Sequence, residues 1–333
     1  MEILISFIIP FLVLLTVVVF VHEYGHYYYA KKYGVGVTDF SIGFGKEIFA
    51  FKDKSGMKWK FCAIPLGGYV KFFGDRNVFS YAEQEEVIKK FNENDRKKLF
   101  LSKPLYQRSI ILAAGPFANF ILAIFIFTFI FMFSGKNFTP AQINEVQIGG
   151  PAHTAGIKSG DIIKSINNKK VSSFLEVSPF INSSTSEKIK VDILRNENEL
   201  SFLVDIKKID STDNFGNKAK RKIIGVKIIP LGGKIEKQKL GPSMALYYAT
   251  KETWFVISAS WNFILSAFKG KADLDQLGGP VKIAKISGDV AKLGFVAFFT
   301  IMAYISVSIG FINLLPIPLL DGGHLAFNLF EKI

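Results

Sequence analysis

In the stretch "VVVFVHEYGHYYYAKK", residues 17–32, an apolar run delivers two histidines and a glutamate, then passes into tyrosines and lysines. His22 to His26 form an H-E-x-x-H pattern, and its spacing has a cause. At 3.6 residues per turn, positions i and i+4 share one helical face, so both imidazoles can meet a single metal ion. Glu23 sits beside that face, where a carboxylate can take a proton from a metal-activated water and pass it to a leaving amine. The pattern therefore points to metal-assisted hydrolysis. A polar cluster where a helix leaves a membrane would explain the charges but not the spacing. Ionisable groups are expensive in hydrocarbon and mark function there.

Two histidines do not complete a catalytic zinc site, which takes three protein ligands and keeps one position open. The third is sought in "NLLPIPLLDGGH", residues 313–324, where Asp321 ends the last apolar run. His324, three residues on and on the same helical face, is its rival. Gly322 and Gly323 would allow a backbone break between them. His153 reads as an ordinary surface residue.

The elements that must position these groups are apolar. Of 333 residues 49% are hydrophobic and 34 are phenylalanine, which argues for a membrane protein. Segments 3–21, 109–134 and 293–320 each meet the length of a spanning helix. Segment 244–268 holds Lys251 and Glu252 and reads instead as an interfacial amphipathic helix anchored by Trp254 and Trp261. The first apolar run lacks a basic leader and ends in tyrosines rather than a cleavage site, so it is expected to be a retained span. Scattered lysines give a net charge of +13, which suits anionic headgroups and not nucleic acid. The single cysteine, Cys62, excludes an intrachain disulfide.

Segment 31–108 carries 16 Lys+Arg against 9 Asp+Glu and is basic at both membrane-flanking ends, which places it in the cytoplasm. The domain-sized segment 135–292 then lies outside. Spans one and three run the same way, so HEYGH and Asp321 reach the same side of the bilayer. At 1.5 Å per residue, His22 and His26 lie roughly 7–13 Å inside the basic boundary set by Lys31. Within the outer segment, 143–171 reads as strand, short helix, Gly160–Asp161 turn, strand and Asn-rich turn. Stretches 188–195 and 200–207 read as a hairpin around "NENE". The pattern resembles a PDZ domain, a module that binds an extended peptide or a C-terminus by strand addition. Segment 211–242 contains strand-like "KIIGVKII" and is not assigned further.

HEYGH, "GPFAN" (115–119), a PDZ-like insertion and "NLLPIPLLDGG" (313–323), in this order and on these spans, resemble the site-2 protease family. The likeness is strongest to the bacterial sigma-E-regulating intramembrane zinc metalloproteases. The resemblance implies that His22, His26 and Asp321 hold one zinc per chain and that Glu23 is the catalytic acid/base. It implies a transmembrane protein substrate, such as an anti-sigma factor or a remnant signal peptide, cut after another protease has acted first. It also implies a multi-pass protein of the bacterial inner membrane. Asn313 would contact the substrate backbone near the scissile bond. Segment 58–74 looks like the family's re-entrant β-hairpin, with Gly67, Gly68, Tyr69 and Val70 at an edge that could take an unwound substrate as an added strand. Gly115 and Pro116 would let span two pack closely or kink, and Asn119 offers an amide where hydrocarbon offers no partner. Members usually carry a further span after the aspartate motif, whereas this chain stops at "HLAFNLFEKI", and some have two PDZ-like units where one is legible here.

The expected fold is thus an α-helical polytopic membrane protein with an inserted PDZ-like β-rich domain and a re-entrant membrane β-hairpin. Its parts would be 1–134, with two spans and the hairpin loop, 135–242, the outer domain, and 243–333, with the interfacial helix and third span. A catalytically idle scaffold has no reason to keep Glu23. A metal-dependent channel would need polar stripes that spans two and three lack.

Overall fold

The computed structural model describes residues 4–74, 88–184, 186–212, 218–230, 235–268 and 280–331. It falls into two units, Met1–Phe127 with Ile283–Ile333, and Thr128–Lys282.

The first unit is built on helices. A π-helical turn, Leu4–Ile8, leads into α1, Ile9–Lys32. Helix α2 is Leu105–Phe133 and continues through Pro116. Segments Ser6–Lys32, Leu105–Phe133 and Phe295–Asn313 are long and apolar enough to cross a membrane. Helix α1 buries Phe11, Leu14, Val18, His22, Gly25, His26 and Ala30, a single stripe at helical spacing. Both histidines of HEYGH therefore face protein, while Tyr24 and Tyr28 on the other side are exposed.

Between α1 and α2 the chain forms β1, Val37–Lys52, and β2, Lys58–Phe72, joined by a turn at 53–57. The expected hairpin within 58–74 is not what forms. Its two arms do not pair with each other; residues 39–42 of β1 lie between them. Asp39 to Ile42 pair antiparallel with Lys71 to Gly68 and again, with indices rising together, with Lys58 to Phe61. The second half of β1, Glu47 to Lys52, pairs with Cys62 to Lys58. Each long strand thus serves as two. In β1 the break falls at Gly43, whose φ of +88° suits glycine and whose Cβ would come 2.8 Å from the Ile64 carbonyl oxygen. Phe40 holds this sheet to α1, its ring 5.7 Å from Phe20, 5.9 Å from Tyr27 and 4.6 Å from Trp59.

The third apolar segment also differs from expectation. The expected span is 293–320, whereas its helix, Phe295–Asn313, stops seven residues short of that end. Pro316 and Pro318 cannot donate to a helical ladder, so 314–320 forms a non-helical connection and a new helix starts at Asp321. An amphipathic helix at Pro280–Lys292 was not foreseen.

The second unit holds a six-stranded sheet, with the order β11, β4, β5, β7, β8 and β6 beside β5. Here β3 is Lys136–Asn137, β4 Ala141–Val146, β5 Ile162–Ile166, β6 Lys169–Lys170, β7 Lys188–Arg195 and β8 Asn198–Asp205. A second pair is β9, Lys207–Thr212, with β10, Lys218–Ile223; β11 is Val226–Ile228 and β12 Lys237–Gln238. Strand, short helix Pro151–Ala155 and strand follow the expected order. Asn167–Asn168 and Asn196–Glu197 make tight turns with positive φ, so β8 starts two residues earlier than expected. The unassigned "KIIGVKII" supplies β11, which adds to β4 at the edge of the sheet. Ile143, Ile163, Ile189, Val191, Ile193 and Val204 form the core. The buried Lys136 pairs with Glu176 at 3.1 Å and faces the rings of Phe131, Phe138 and Tyr248 at 5.4–6.0 Å. In this unit α3, Pro242–Phe268, presents Trp254 and Trp261 on its exposed side. Further along the chain come α4, Pro280–Lys292, α5, Phe295–Asn313, and α6, Asp321–Glu331.

Candidate metal centre

His22 and His26 lie one turn apart on the buried stripe of α1, their Nε2 atoms 3.3 Å from each other. Asp321, the first residue of α6, brings its Oδ2 to 3.1 Å from His22 Nε2 and 3.4 Å from His26 Nε2. Among the described residues this is the group that could hold a metal ion. Three donors on a tetrahedral zinc, each about 2.0–2.1 Å away, stand about 3.3 Å from one another. The observed triangle has that edge.

The donor chemistry fits as well. Asp321 Oδ2 is buried and, close as it lies to both nitrogens, has no hydrogen bond of proper geometry among the described residues. A buried carboxylate oxygen without a donor is costly, and a shared cation satisfies it. His26 Nδ1 lies 2.8 Å from the carbonyl oxygen of Ile111, which accepts its proton and leaves Nε2 with a lone pair. Two imidazoles and a carboxylate so arranged are a zinc donor set. His324, the rival ligand, is half-buried on α6 and outside the triangle.

Asp321 is held by its successors. A Cβ on Gly322 would strike the carbonyl oxygens of Leu314 and Leu315, and one on Gly323 would strike that of Ile317. The glycine pair lets the 314–320 connection fold tightly against the first turn of α6, which aims the carboxylate. Asn313 is half-buried at the end of α5, separated from Asp321 by that connection rather than stacked two helical turns below it.

Helix α2 packs against the histidines. A Cβ on Gly115 would fall on the His26 ring, and one on Gly25 would strike the Ala114 carbonyl oxygen. Asn119, fully buried, places its side-chain amide 3.3 Å from His22 Nδ1. Its backbone carbonyl accepts a 2.9 Å hydrogen bond from Ser306 Oγ on α5. Pro116 offers its carbonyl to the close approach of Gly310 on α5, where a Cβ would come within 2.8 Å.

Glu23 is half-buried and faces β2. A Cβ on Gly68 would come 3.1 Å from Glu23 Cγ and 2.7 Å from the Ser41 carbonyl oxygen. The Val70 backbone N–H donates to the Glu23 carboxylate. The ring of Tyr69 stacks on Phe44 at 6.2 Å, and Gly67 also abuts Phe44. Among the described residues 68–71 pair only with β1, so the other edge of this strand runs beside Glu23. The exposed His153 is in the second unit. Sequence reasoning missed the Ile111 carbonyl, Ser306 and the whole of β1.

Comparison with known proteins decides the family. Residues 10–333 match the model of peptidase family M50. The chain belongs to peptidase family M50. Membership makes it a peptidase, and its zinc metalloprotease relatives make it a metal-dependent one, with the His-His-Asp triangle as the candidate site. A candidate zinc metalloprotease of Agrobacterium fabrum is 40% identical to this M50 peptidase over 98% of the chain and 87% of that protein. One from Mesorhizobium japonicum is 40% identical over 98% and 89%. Metalloprotease MmpA of Caulobacter vibrioides is 34% identical over 98% and 86%. With three helices apolar enough to span a bilayer, this M50 peptidase is a membrane protein.

Proposed function

We propose that this M50 peptidase is an intramembrane zinc endopeptidase that hydrolyses a peptide bond within a transmembrane segment of a protein substrate. The observation that carries the reading is the 3.1–3.4 Å triangle of His22, His26 and Asp321 on apolar helices with Glu23 beside it. His22 and His26 through Nε2, and Asp321 through Oδ2, would hold the zinc. Bound there, zinc would supply Lewis acidity, making a water nucleophilic at neutral pH and polarising the peptide carbonyl. Glu23 accepts the proton of the attacking water on its carboxylate and delivers it to the amine nitrogen as the C–N bond breaks. Asn313 offers an amide to the substrate backbone.

A transmembrane helix hides its peptide bonds, so the substrate must be unwound and its freed backbone groups satisfied. The edge of β2 from Gly67 through Gly68 and Tyr69 to Val70 supplies that partner by strand addition, because it runs beside Glu23. We read the β1–β2 sheet as the re-entrant element of 1–134. The PDZ-like domain of 135–242 is the outer, periplasmic part and takes a peptide or C-terminus. The part 243–333 combines an interfacial α3 with the third span. The protein is multi-pass in a bacterial inner membrane and acts after a first cleavage of its substrate.

The test is cleavage of a model transmembrane peptide in lipid vesicles by the purified protein. Activity should vanish on treatment with a zinc chelator and return with one equivalent of zinc. Cleavage that persists with the metal removed would overturn the reading.

A further inference from the structure

Each histidine of the triangle is met at its Nδ1 by helix α2. His26 Nδ1 has the Ile111 carbonyl, a pure acceptor, so its proton is fixed there. His22 Nδ1 has the Asn119 side chain, 3.3 Å away through Nδ2, and an amide can present either a donor or an acceptor.

The two orientations have opposite consequences. With Nδ2 toward the ring, the amide donates and His22 must carry its proton on Nε2, the atom that points at Asp321 and His26. A protonated Nε2 cannot ligate. With the amide turned, Oδ1 accepts from Nδ1–H and the Nε2 lone pair is free. Asn119 Oδ1 is buried with no hydrogen-bond partner among the described residues, so the turn gives up no bond of that oxygen seen there. The Asn119 side chain is fully buried, and its backbone is held to α5: its carbonyl accepts from Ser306 Oγ at 2.9 Å, and Gly310 packs so closely that an added Cβ would come 3.2 Å from Asn119 Cβ.

We propose that Asn119 is a positioning residue: its amide oxygen fixes the Nδ1–H tautomer of His22 and so presents the His22 Nε2 lone pair to the metal. Its place on α2, four residues past Gly115 and locked to α5 through Ser306, makes ligand orientation depend on the packing of all three apolar helices. Partners of this kind raise ligand basicity and hold the ring in plane, and their loss typically weakens metal affinity 10–100-fold. The inference rests on the metal site proposed above.

The experiment is titration of the full chain in detergent with cobalt(II), followed by its visible spectrum and by competition with zinc, for wild type, Asn119→Leu, Asn119→Asp and His22→Ala. Asn119→Leu keeps the shape without an acceptor and should raise the dissociation constant about 10–100-fold with an altered cobalt spectrum. Asn119→Asp keeps an acceptor at that place and should bind no more weakly than wild type. Folding of each variant is read by thermal unfolding. Two outcomes overturn the proposal: Asn119→Leu binding cobalt as wild type does, or Asn119→Asp losing affinity as far as Asn119→Leu. If His22→Ala also binds as wild type does, the metal site itself is wrong, and the proposal falls with it.

Discussion

Gly115 lies directly against the imidazole of His26, with no space for a Cβ between the α2 backbone and the ring. Glycine to alanine inside a helix ordinarily stabilises by about 1 kcal/mol. Here it should displace His26 from the triangle. Gly115→Ala is expected to fold and to lose most bound zinc after dialysis against a mild chelator, measured by mass spectrometry. One zinc retained per chain would show that the ring has room to move.

The third ligand separates two neighbours on one helix face. Asp321→Ala should lose both metal and activity, because Asp321 Oδ2 is the atom 3.1–3.4 Å from both Nε2 atoms. His324→Ala should keep its zinc. The reverse pattern in metal analysis would transfer the role to His324.

The chemistry was legible in the sequence where side-chain spacing carries it. HEYGH places two candidate ligands at i and i+4, and the apolar runs mark the helices that carry them. Chain topology brought Asp321 to the same side. The backbone partners were not legible: Ile111 contributes a carbonyl oxygen, for which no residue type is a signal. Ser306 and Ser308 look alike in an apolar span, yet Ser308 bonds Tyr304 in its own helix while Ser306 reaches Asn119 on another. The sheet failed for a different reason. Phe40, Ile42 and Phe44 alternate as a strand does, but Gly43 and Gly45 read as loop, and the insertion of 39–42 between 58–61 and 68–71 is a non-local pairing. Pro316 and Pro318 did carry the signal that ends α5, and a longer helix was nonetheless expected.

The edge of β2 can be tested with proline. Val70→Pro removes the N–H that meets Glu23 and disturbs the strand edge without touching a metal ligand. It should keep zinc and lose most cleavage of transmembrane substrates, while substrates with helix-weakening residues near the cut are partly spared. A short soluble peptide separates the two roles of that N–H. Equal loss on all substrates would assign Val70 to the base alone, and undiminished cleavage of stable helices would remove strand addition from the mechanism.

In the second unit, Arg195 holds Asp161 through two 2.7 Å hydrogen bonds and also donates to the Gly156 carbonyl at 2.8 Å. Burial pushes the Asp161 carboxyl up, but the guanidinium and the Lys158 backbone N–H outweigh it and hold the group below its ordinary value. A depressed carboxylate stabilises the fold above its unfolded pKa of about 4, and that contribution is lost as pH falls through the folded value. Arg195→Leu should therefore destabilise this unit by roughly 3 kcal/mol at neutral pH, since Asp161 is 1% exposed. The difference from wild type should shrink as pH drops below about 4. Hydrogen exchange at β5 and β7 reads it, and a difference independent of pH would rule out the ion pair as its source.

The central claim is that Glu23 performs proton transfer at a zinc held by other residues. The direct measurement is zinc content and cleavage of a transmembrane peptide by Glu23→Gln beside wild type. The account predicts one zinc per chain in both, with cleavage by Glu23→Gln reduced about 10²–10⁴-fold. Cleavage near the wild-type rate by a zinc-loaded Glu23→Gln protein would contradict it.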